Sequence, residues 1–164
     1  MCKFEREHTA CFTGHRTDKL QLDEKVIGDL LKKYIFSAIK DNIFVFMSGM
    51  AEGFDVIAAE TVIYLKESFP KIKLICVLPF NGFGNKRTDA EKNRYDNVLK
   101  KADDIIIVSE HYSKYCFQKR NVFMVDNSIR VISAYNGSKG GTQNTINYAK
   151  RKNVEIINIL NIDY

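Results

Sequence analysis

The 164-residue chain contains no tryptophan, only two prolines and only four cysteines. The cysteines, Cys2, Cys11, Cys76 and Cys116, are scattered along the chain and form no Cys-x-x-Cys pair. Two of them lie inside apolar runs, where a thiol packs as a small apolar group. This distribution argues against a metal centre and against a disulfide framework. We therefore predict neither a bound metal nor a cofactor.

Long apolar runs and a strong charge bias are also missing. No segment approaches the ~18 apolar residues that a membrane span requires, and the opening "MCKFEREHTA" lacks the apolar centre of a signal peptide. We expect a cytoplasmic protein without a membrane partner. The net charge of +5 is a modest excess that attracts small anions but does not form a nucleic-acid footprint. A small anionic molecule is therefore the expected partner, and nucleic acid is not.

The composition is that of an ordinary globular protein, with 45% hydrophobic and 27% charged residues, and we expect one domain over residues 1–164. Segments with helical apolar spacing, such as 20–40 and 56–68, alternate with short runs rich in β-branched and aromatic residues. This alternation predicts a Rossmann-like α/β three-layer sandwich with a mostly parallel sheet of about six strands. The candidate strands are "TACFT", "IFVFMS", "KLICVLPF", "DIIIVS", "RVISAY" and "VEIINIL".

Polar residues follow the first candidate strand directly, as Thr13, Gly14, His15 and Arg16. Ligands of open α/β sheets lie beyond the carboxyl ends of the strands, so these side chains fall on the functional edge. The arginine fork suits a phosphate, and the histidine is either an acid–base group or a polar turn residue. The irregular segments "FNGFGNKRTDAE" and "SEHYSKYCFQKR" follow two other strands and are candidate lids.

The segment "SGMAEGFD" follows the second candidate strand. Ser48 and Gly49 allow a tight turn, Gly53 allows a close backbone approach, and Asp55 is available as a helix cap or a ribose acceptor. The segment either cradles a phosphate or only turns the chain from a strand into a helix.

The segment "GSKGGTQNT" offers a clearer anion site. Gly140, Gly141 and Thr142 open a helix, so consecutive free amides and a hydroxyl lie where an anion binds. The alternative is a turn that needs glycine, with Thr142 as an ordinary N-cap.

The segment "FQKRNVFMVDNS" has apolar residues at helical spacing. It therefore predicts a helix that packs on the sheet. Its polar members Arg120, Asn121 and Asp126 either contact a ligand or face solvent.

Five segments spread in order from residue 10 to residue 150 together resemble the SLOG superfamily: "CFTGHRTDKL", "SGMAEGFDVIAAE", "LPF", "KRNVFMVDNS" and "GGTQNTINYAK". This Rossmann-like group contains the cytokinin-riboside phosphoribohydrolases, the DNA-processing protein DprA and the YpsA-type (DUF1273) proteins, and the last are most similar. The resemblance implies a nucleotide, NAD or ADP-ribose-like ligand along the strand ends. The positions that match are Thr13, Gly14, His15, Arg16, Ser48, Gly49, Glu52, Gly53, Asp55, Arg120, Asn121, Asp126, Gly140, Gly141, Thr142 and Asn144.

One position departs from the phosphoribohydrolase pattern. Those enzymes carry a glutamate where this chain has Thr145, and a threonine cannot stabilise a sugar cation or activate water. The preferred hypothesis is therefore a binding module that senses, carries or sequesters the ligand. The alternative is an N-glycosidase or transferase in which Glu52 or Asp126 takes the carboxylate role. DNA binding as in DprA has less support, and a homo-oligomer stays open.

Overall fold

A computed structural model describes residues 4–161. Its six strands form one sheet in the order β4-β3-β2-β1-β5-β6, and every neighbouring pair is parallel. The predicted Rossmann-like α/β sandwich is confirmed. The strands are β1 Thr9–Gly14, β2 Val45–Ser48, β3 Lys73–Leu78, β4 Asp104–Ile107, β5 Arg130–Ala134 and β6 Glu155–Asn158.

Helices cover both faces of the sheet and so produce three layers. They are α1 Thr17–Leu20, α2 Glu24–Lys40, α3 Phe54–Leu65, α4 Asp89–Lys101, α5 Cys116–Asp126 and α6 Gly141–Arg151. Helices α2, α3 and α4 pack beside one another on one face, and α5 and α6 pack together on the other. None of the helices described between residues 4 and 161 is both long and apolar enough to cross a membrane.

The four central strands, β1, β2, β3 and β5, bury side chains on both faces, as the sequence pattern predicts. Phe12 and Phe46 belong to the cluster under α2 and α3, whereas their neighbours Cys11 and Met47 belong to the cluster under α5 and α6. Alternate residues of a strand point to opposite faces, so near-continuous apolar runs are required when both faces are covered.

The cysteines between residues 4 and 161 form no disulfide. Cys11, Cys76 and Cys116 are free and buried. Cys2 lies outside the described residues.

One predicted helix is divided. The periodic segment 20–40 begins with the last residue of the short α1 and continues as α2 from Glu24, because Gln21 adopts a left-handed conformation with φ 53° and ends α1. This break turns the chain away from the carboxyl edge of β1 before the long helix begins.

The direction of chain progression across the sheet reverses between β1 and β5. From β1 the chain moves outward through β2, β3 and β4, then returns to β5 on the other side of β1. The loops after β1 and β5 therefore diverge and leave a crevice at the carboxyl edge. The backbone N–H of His15 bridges them by donating to the Ala134 carbonyl oxygen at 3.1 Å.

Candidate functional site

A cavity of about 1270 Å³, called the cleft below, lies at this crevice. It is bordered by the loops that follow β1, β2 and β3, by the start of α5 and by the amino end of α6. Most of the residues predicted for the site line it, namely Thr13, Gly14, His15, Arg16, Glu52, Asp55, Arg120, Asn121, Gly140, Gly141 and Thr142.

Gly140, Gly141 and Thr142 form one end of the cleft, the α6 turn. Gly140 has φ 147°, a conformation that favours glycine, and α6 begins at the next residue. A Cβ at Gly140 or Gly141 would meet no atom within 4 Å, so the space beside the backbone is open. The first amides of a helix have no intrahelical acceptor, and an anion can approach them here.

His15 connects the α6 turn to the loop after β1. Its Nε2 lies 3.3 Å from the Ser138 hydroxyl, just before the glycines. Burial lowers the pKa of His15, and the charge of Lys19 acts in the same direction. The imidazole is therefore uncharged at neutral pH and can pair with a hydroxyl. A second link joins the same loops, because the Asn136 side-chain amide donates to the Lys19 carbonyl oxygen at 3.0 Å.

The bottom of the cleft holds a buried arginine and a buried carboxyl group. Arg120 donates through Nη1 to the Gly49 carbonyl oxygen and through Nε to Asn121 Oδ1 at 2.7 Å. Asp55 accepts a hydrogen bond from the Ala51 amide at 3.3 Å. Burial raises the pKa of Asp55 to about 6, although the charge of Arg120 favours its ionised form.

Ser48 and Gly49 support this arrangement from beneath and do not line the cleft. The Ser48 hydroxyl donates to the Asp55 carbonyl oxygen at 2.8 Å and fixes the first turn of α3. Gly49 is needed for space, because a Cβ there would lie 2.4 Å from Arg120 Nη1.

Arg16 and Glu52 meet at the mouth of the cleft. They form an ion pair of 3.7 Å, and the Arg16 side chain is 70% exposed. Gly53 allows the two loops to touch, because it has φ 88° and a Cβ there would lie 3.0 Å from Arg16 Cα. The sequence analysis left the role of Arg16 open, and here it pairs with a carboxylate.

Arg87 is a cleft residue that the sequence analysis did not select. Its side chain is only 6% exposed, and its guanidinium donates to the Met50 carbonyl oxygen. The same group lies over the ring of Tyr95 at 4.4 Å and over the ring of Phe83 at 5.2 Å. The sequence feature that could have indicated Arg87 is its place within the irregular segment that follows β3.

Four aromatic residues form another side of the cleft, called the aromatic wall: Phe80, Phe83, Tyr112 and Phe117. The ring centroids of Phe80 and Tyr112 are 5.5 Å apart, and those of Phe83 and Phe117 are 5.9 Å apart. Tyr112 is 67% exposed and Phe117 is 40% exposed, so apolar ring surface faces solvent. The two predicted lid segments supply these residues and meet here.

Two predicted residues lie elsewhere. Asp126 is the last residue of α5, near the amino edge of the sheet, where it accepts from the Tyr148 hydroxyl at 2.8 Å. The helix carries it away from Arg120 by six residues, roughly 9 Å at 1.5 Å per residue. Asn144 is exposed in the first turns of α6 and does not line the cleft.

Thr145 is buried inside α6. Its hydroxyl donates to the Gly141 carbonyl oxygen at 3.0 Å, and the residue is 1% exposed. This position therefore contributes to the helix and presents no acid to the cleft.

One group of potential metal ligands occurs within residues 4–161, made of Glu5, Glu7 and His8. It is close to the surface and precedes β1, at the edge of the sheet opposite the cleft. His8 Nδ1 also pairs with the Asn42 carbonyl oxygen at 2.8 Å.

Comparison with known proteins decides the family. The YpsA model, described as the YspA SLOG family, matches residues 10–163. The chain belongs to this family. It is 36% identical over 124 residues to the uncharacterized SPbeta prophage-derived protein YoqJ of Bacillus subtilis, covering 68% of this chain and 72% of that protein. It is 29% identical over 136 residues to a UPF0398 protein of Staphylococcus epidermidis, covering 77% of this chain and 72% of that protein.

Two solved structures of DNA processing protein A share the fold of this SLOG chain. The protein from Streptococcus pneumoniae aligns with a TM-score of 0.56 and 21% identity, over 90% of this chain and 48% of that one. The structure of the Helicobacter pylori protein concerns single-stranded DNA binding. It aligns with a TM-score of 0.60 and 19% identity, over 92% of this chain and 64% of that one. The chain thus spans about half of the first protein and just under two thirds of the second.

Proposed function

We propose that this SLOG protein binds a nucleotide-derived ligand in the cleft and acts as a sensor, carrier or sequestering protein. The observation that carries the proposal is the joint presence of an open helix amino terminus and an exposed aromatic wall around one cavity. A nucleotide offers the matching pair of groups, a phosphate and a flat base.

The α6 turn is the phosphate end. Its backbone amides and the partial positive charge of the helix amino terminus favour an anion. Lys19 and Arg16 also line the cleft and add positive charge from the loop after β1.

The aromatic wall is the base end. Tyr112 and Phe117 expose ring surface, and stacking of a base on an aromatic side chain is worth ~1–3 kcal/mol. Between the two ends lie Asp55 and Glu52, whose carboxyl groups can accept hydrogen bonds from ribose hydroxyls.

Single-stranded DNA is a second candidate ligand. The wall of exposed rings beside arginines resembles the stacking platforms of proteins that bind single strands. The described binding of single-stranded DNA by the Helicobacter pylori structural neighbour points the same way. The small net charge of +5 favours the nucleotide, because strand binding draws on many phosphate contacts.

Calorimetric titration with AMP, ADP-ribose, NAD and an oligothymidylate tests both candidates. We expect a nucleotide to bind, and Arg120→Ala to weaken it by ~1.5–3 kcal/mol through loss of charge-assisted contacts. Arg151→Ala is the matched control, since Arg151 is exposed in the last turn of α6. Binding of the oligonucleotide alone would favour the DNA candidate, and binding of neither would contradict the proposal.

A further inference from the structure

Arg87 is a buried cation whose hydrogen-bonding capacity is mostly unused. A guanidinium has five N–H donors. Among residues 4–161, the Met50 carbonyl oxygen is the one acceptor within hydrogen-bond distance of the Arg87 guanidinium. The Glu52 carboxylate lies 4.0 Å from it. The rings of Phe83 and Tyr95 fix the plane of the group, and the residue lines the cleft. A buried guanidinium that is held in one plane and still has free N–H donors suits an oxyanion.

The charges around Arg87 leave room for that anion. Arg120 has no carboxylate within 4.0 Å among the described residues, and its hydrogen-bond partners Gly49 and Asn121 are neutral. Glu52 is shared between Arg16 and Arg87, at 3.7 Å and 4.0 Å. The cleft is lined by five cationic side chains and by three carboxyl groups; the cations are Arg16, Lys19, Lys86, Arg87 and Arg120, and the acids are Asp18, Glu52 and Asp55. Because buried cations are costly without a compensating charge, an anion would stabilise this region.

Arg87 and the α6 turn lie beyond the ends of different strands. Arg87 is tied to Met50, which follows β2, whereas the α6 turn follows β5. Strand β1 lies between β2 and β5, so the two strand ends are about 10 Å apart at 4.8 Å per strand spacing. The cleft volume of about 1270 Å³ also exceeds the ~300–1,000 Å³ of ordinary small-molecule pockets.

We propose that Arg87 forms a second phosphate subsite and that the ligand is a dinucleotide with two phosphate groups separated by a nucleoside. This inference rests on the proposed nucleotide function and specifies its ligand class. One phosphate occupies the α6 turn, the other faces Arg87, and a base stacks on the aromatic wall.

Calorimetry with AMP and with the 5′-phosphorylated dinucleotide pApA tests the inference. We expect pApA to bind at least about tenfold more tightly than AMP, a difference of about 1.4 kcal/mol. Arg87→Gln should reduce that ratio to about two, and the AMP affinity of the same variant is the reference from which its ratio is calculated. Arg87→Lys, which keeps the charge, should retain an intermediate ratio, and Arg151→Gln should retain the full ratio.

The outcomes separate the two proposals. Equal affinity for AMP and pApA, or an equal loss of both in Arg87→Gln, would overturn the second subsite and leave nucleotide binding intact. ADP-ribose carries adjacent phosphates and should bind like AMP. If ADP-ribose instead binds more tightly than AMP, and Arg87→Gln removes that difference, the proposed separation of the two phosphate subsites is wrong. A 5′-phosphorylated dodecamer should bind no better than pApA, and a much higher affinity would replace the dinucleotide by a nucleic-acid strand. No binding of any nucleotide would contradict the proposed function itself.

Discussion

Asp55 is a carboxyl group buried beside two arginines, and its ionisation costs free energy. Burial raises its pKa from the ordinary 3.8 to about 6, because desolvation of the charged form outweighs attraction to Arg120 and Arg87. The native state therefore holds this proton at pH values where the unfolded chain has released it. Ionised Asp55 lowers the free energy of unfolding, and the loss grows as pH rises.

Replacement of Asp55 by asparagine should remove this pH dependence. As pH rises from about 3 to about 7, the unfolding free energy of the wild type should fall relative to Asp55→Asn, by an amount on the order of 3 kcal/mol at 1.36 kcal/mol per pKa unit. Urea denaturation of both proteins at a series of pH values measures the difference. A difference that stays constant with pH would show that Asp55 keeps an ordinary pKa.

Gly49 should be required for the position of Arg120. In Gly49→Ala the new Cβ would lie 2.4 Å from Nη1 and 2.7 Å from Cζ, so the guanidinium must leave the Gly49 carbonyl oxygen. We expect a stability loss of ~1–3 kcal/mol and a nucleotide affinity close to that of Arg120→Ala.

Gly28→Ala is the control, since a Cβ in the middle of α2 meets nothing within 4 Å. It should stabilise the protein by ~0.5–1 kcal/mol. Calorimetric affinity and thermal denaturation check both variants. Normal affinity in Gly49→Ala would mean that Arg120 binds from another position.

Individual cleft residues were predictable where they lie at the end of a strand or within six residues of it. Gly14, Glu52 and Gly140 line the cleft, because the end of a parallel strand fixes which edge its loop occupies. Arg87 lies nine residues past the end of β3, and its place depends on loop folding and on the rings of Phe83 and Tyr95. No local pattern encodes that packing.

At the scale of elements, the proposed phosphate site coincides with the first residue of α6. Gly141 begins the helix, and a side chain there would enter open space. An acidic residue at a helix amino terminus stabilises the helix by ~0.3–1 kcal/mol, yet it would repel a phosphate at the same amides.

Gly141→Asp should therefore raise the melting temperature while weakening nucleotide binding by at least about tenfold, or about 1.4 kcal/mol. Gly141→Asn is the uncharged control of similar shape and should bind more tightly than Gly141→Asp. Thermal denaturation and calorimetry on the two variants separate the effects. Equal affinities would place the phosphate away from the α6 turn.

The elements themselves were largely predictable from sequence. Five of the six strands fall within their predicted apolar segments, and β1 extends one residue past its segment to Gly14. The central strands were the clearest to predict, because burial on both faces demands a continuous apolar run. The predicted start of the second helix was four residues early, since the left-handed Gln21 ends α1 and separates it from α2. Asp126 was assigned to the cleft by motif, but the direction of α5 places it at the far edge.

For the whole molecule, the question is whether the cleft only binds or also cleaves its ligand. Glycoside hydrolysis uses a pair of carboxyl groups beside the bond that breaks. Asp126 is at the wrong edge, Thr145 is buried within α6, and Glu52 is held between Arg16 and Arg87. Asp55 at the bottom of the cleft, with a pKa near 6, and Asp18 of α1 are the other acids that line it. None of the acids that line the cleft belongs to α6, where the phosphoribohydrolase pattern has its glutamate.

We accordingly expect no base release. Prolonged incubation of the wild-type protein with AMP, NAD or pApA should yield no free adenine or nicotinamide above a protein-free control, as measured by liquid chromatography. The comparison has an internal control, because Asp18→Asn, Glu52→Gln and Asp55→Asn each remove one of the three acids that line the cleft. Base release that disappears in any of these variants would identify an N-glycosidase and contradict a purely binding role. Release that persists in all three would indicate a contaminant, since Asp126, the other candidate acid, lies away from the cleft.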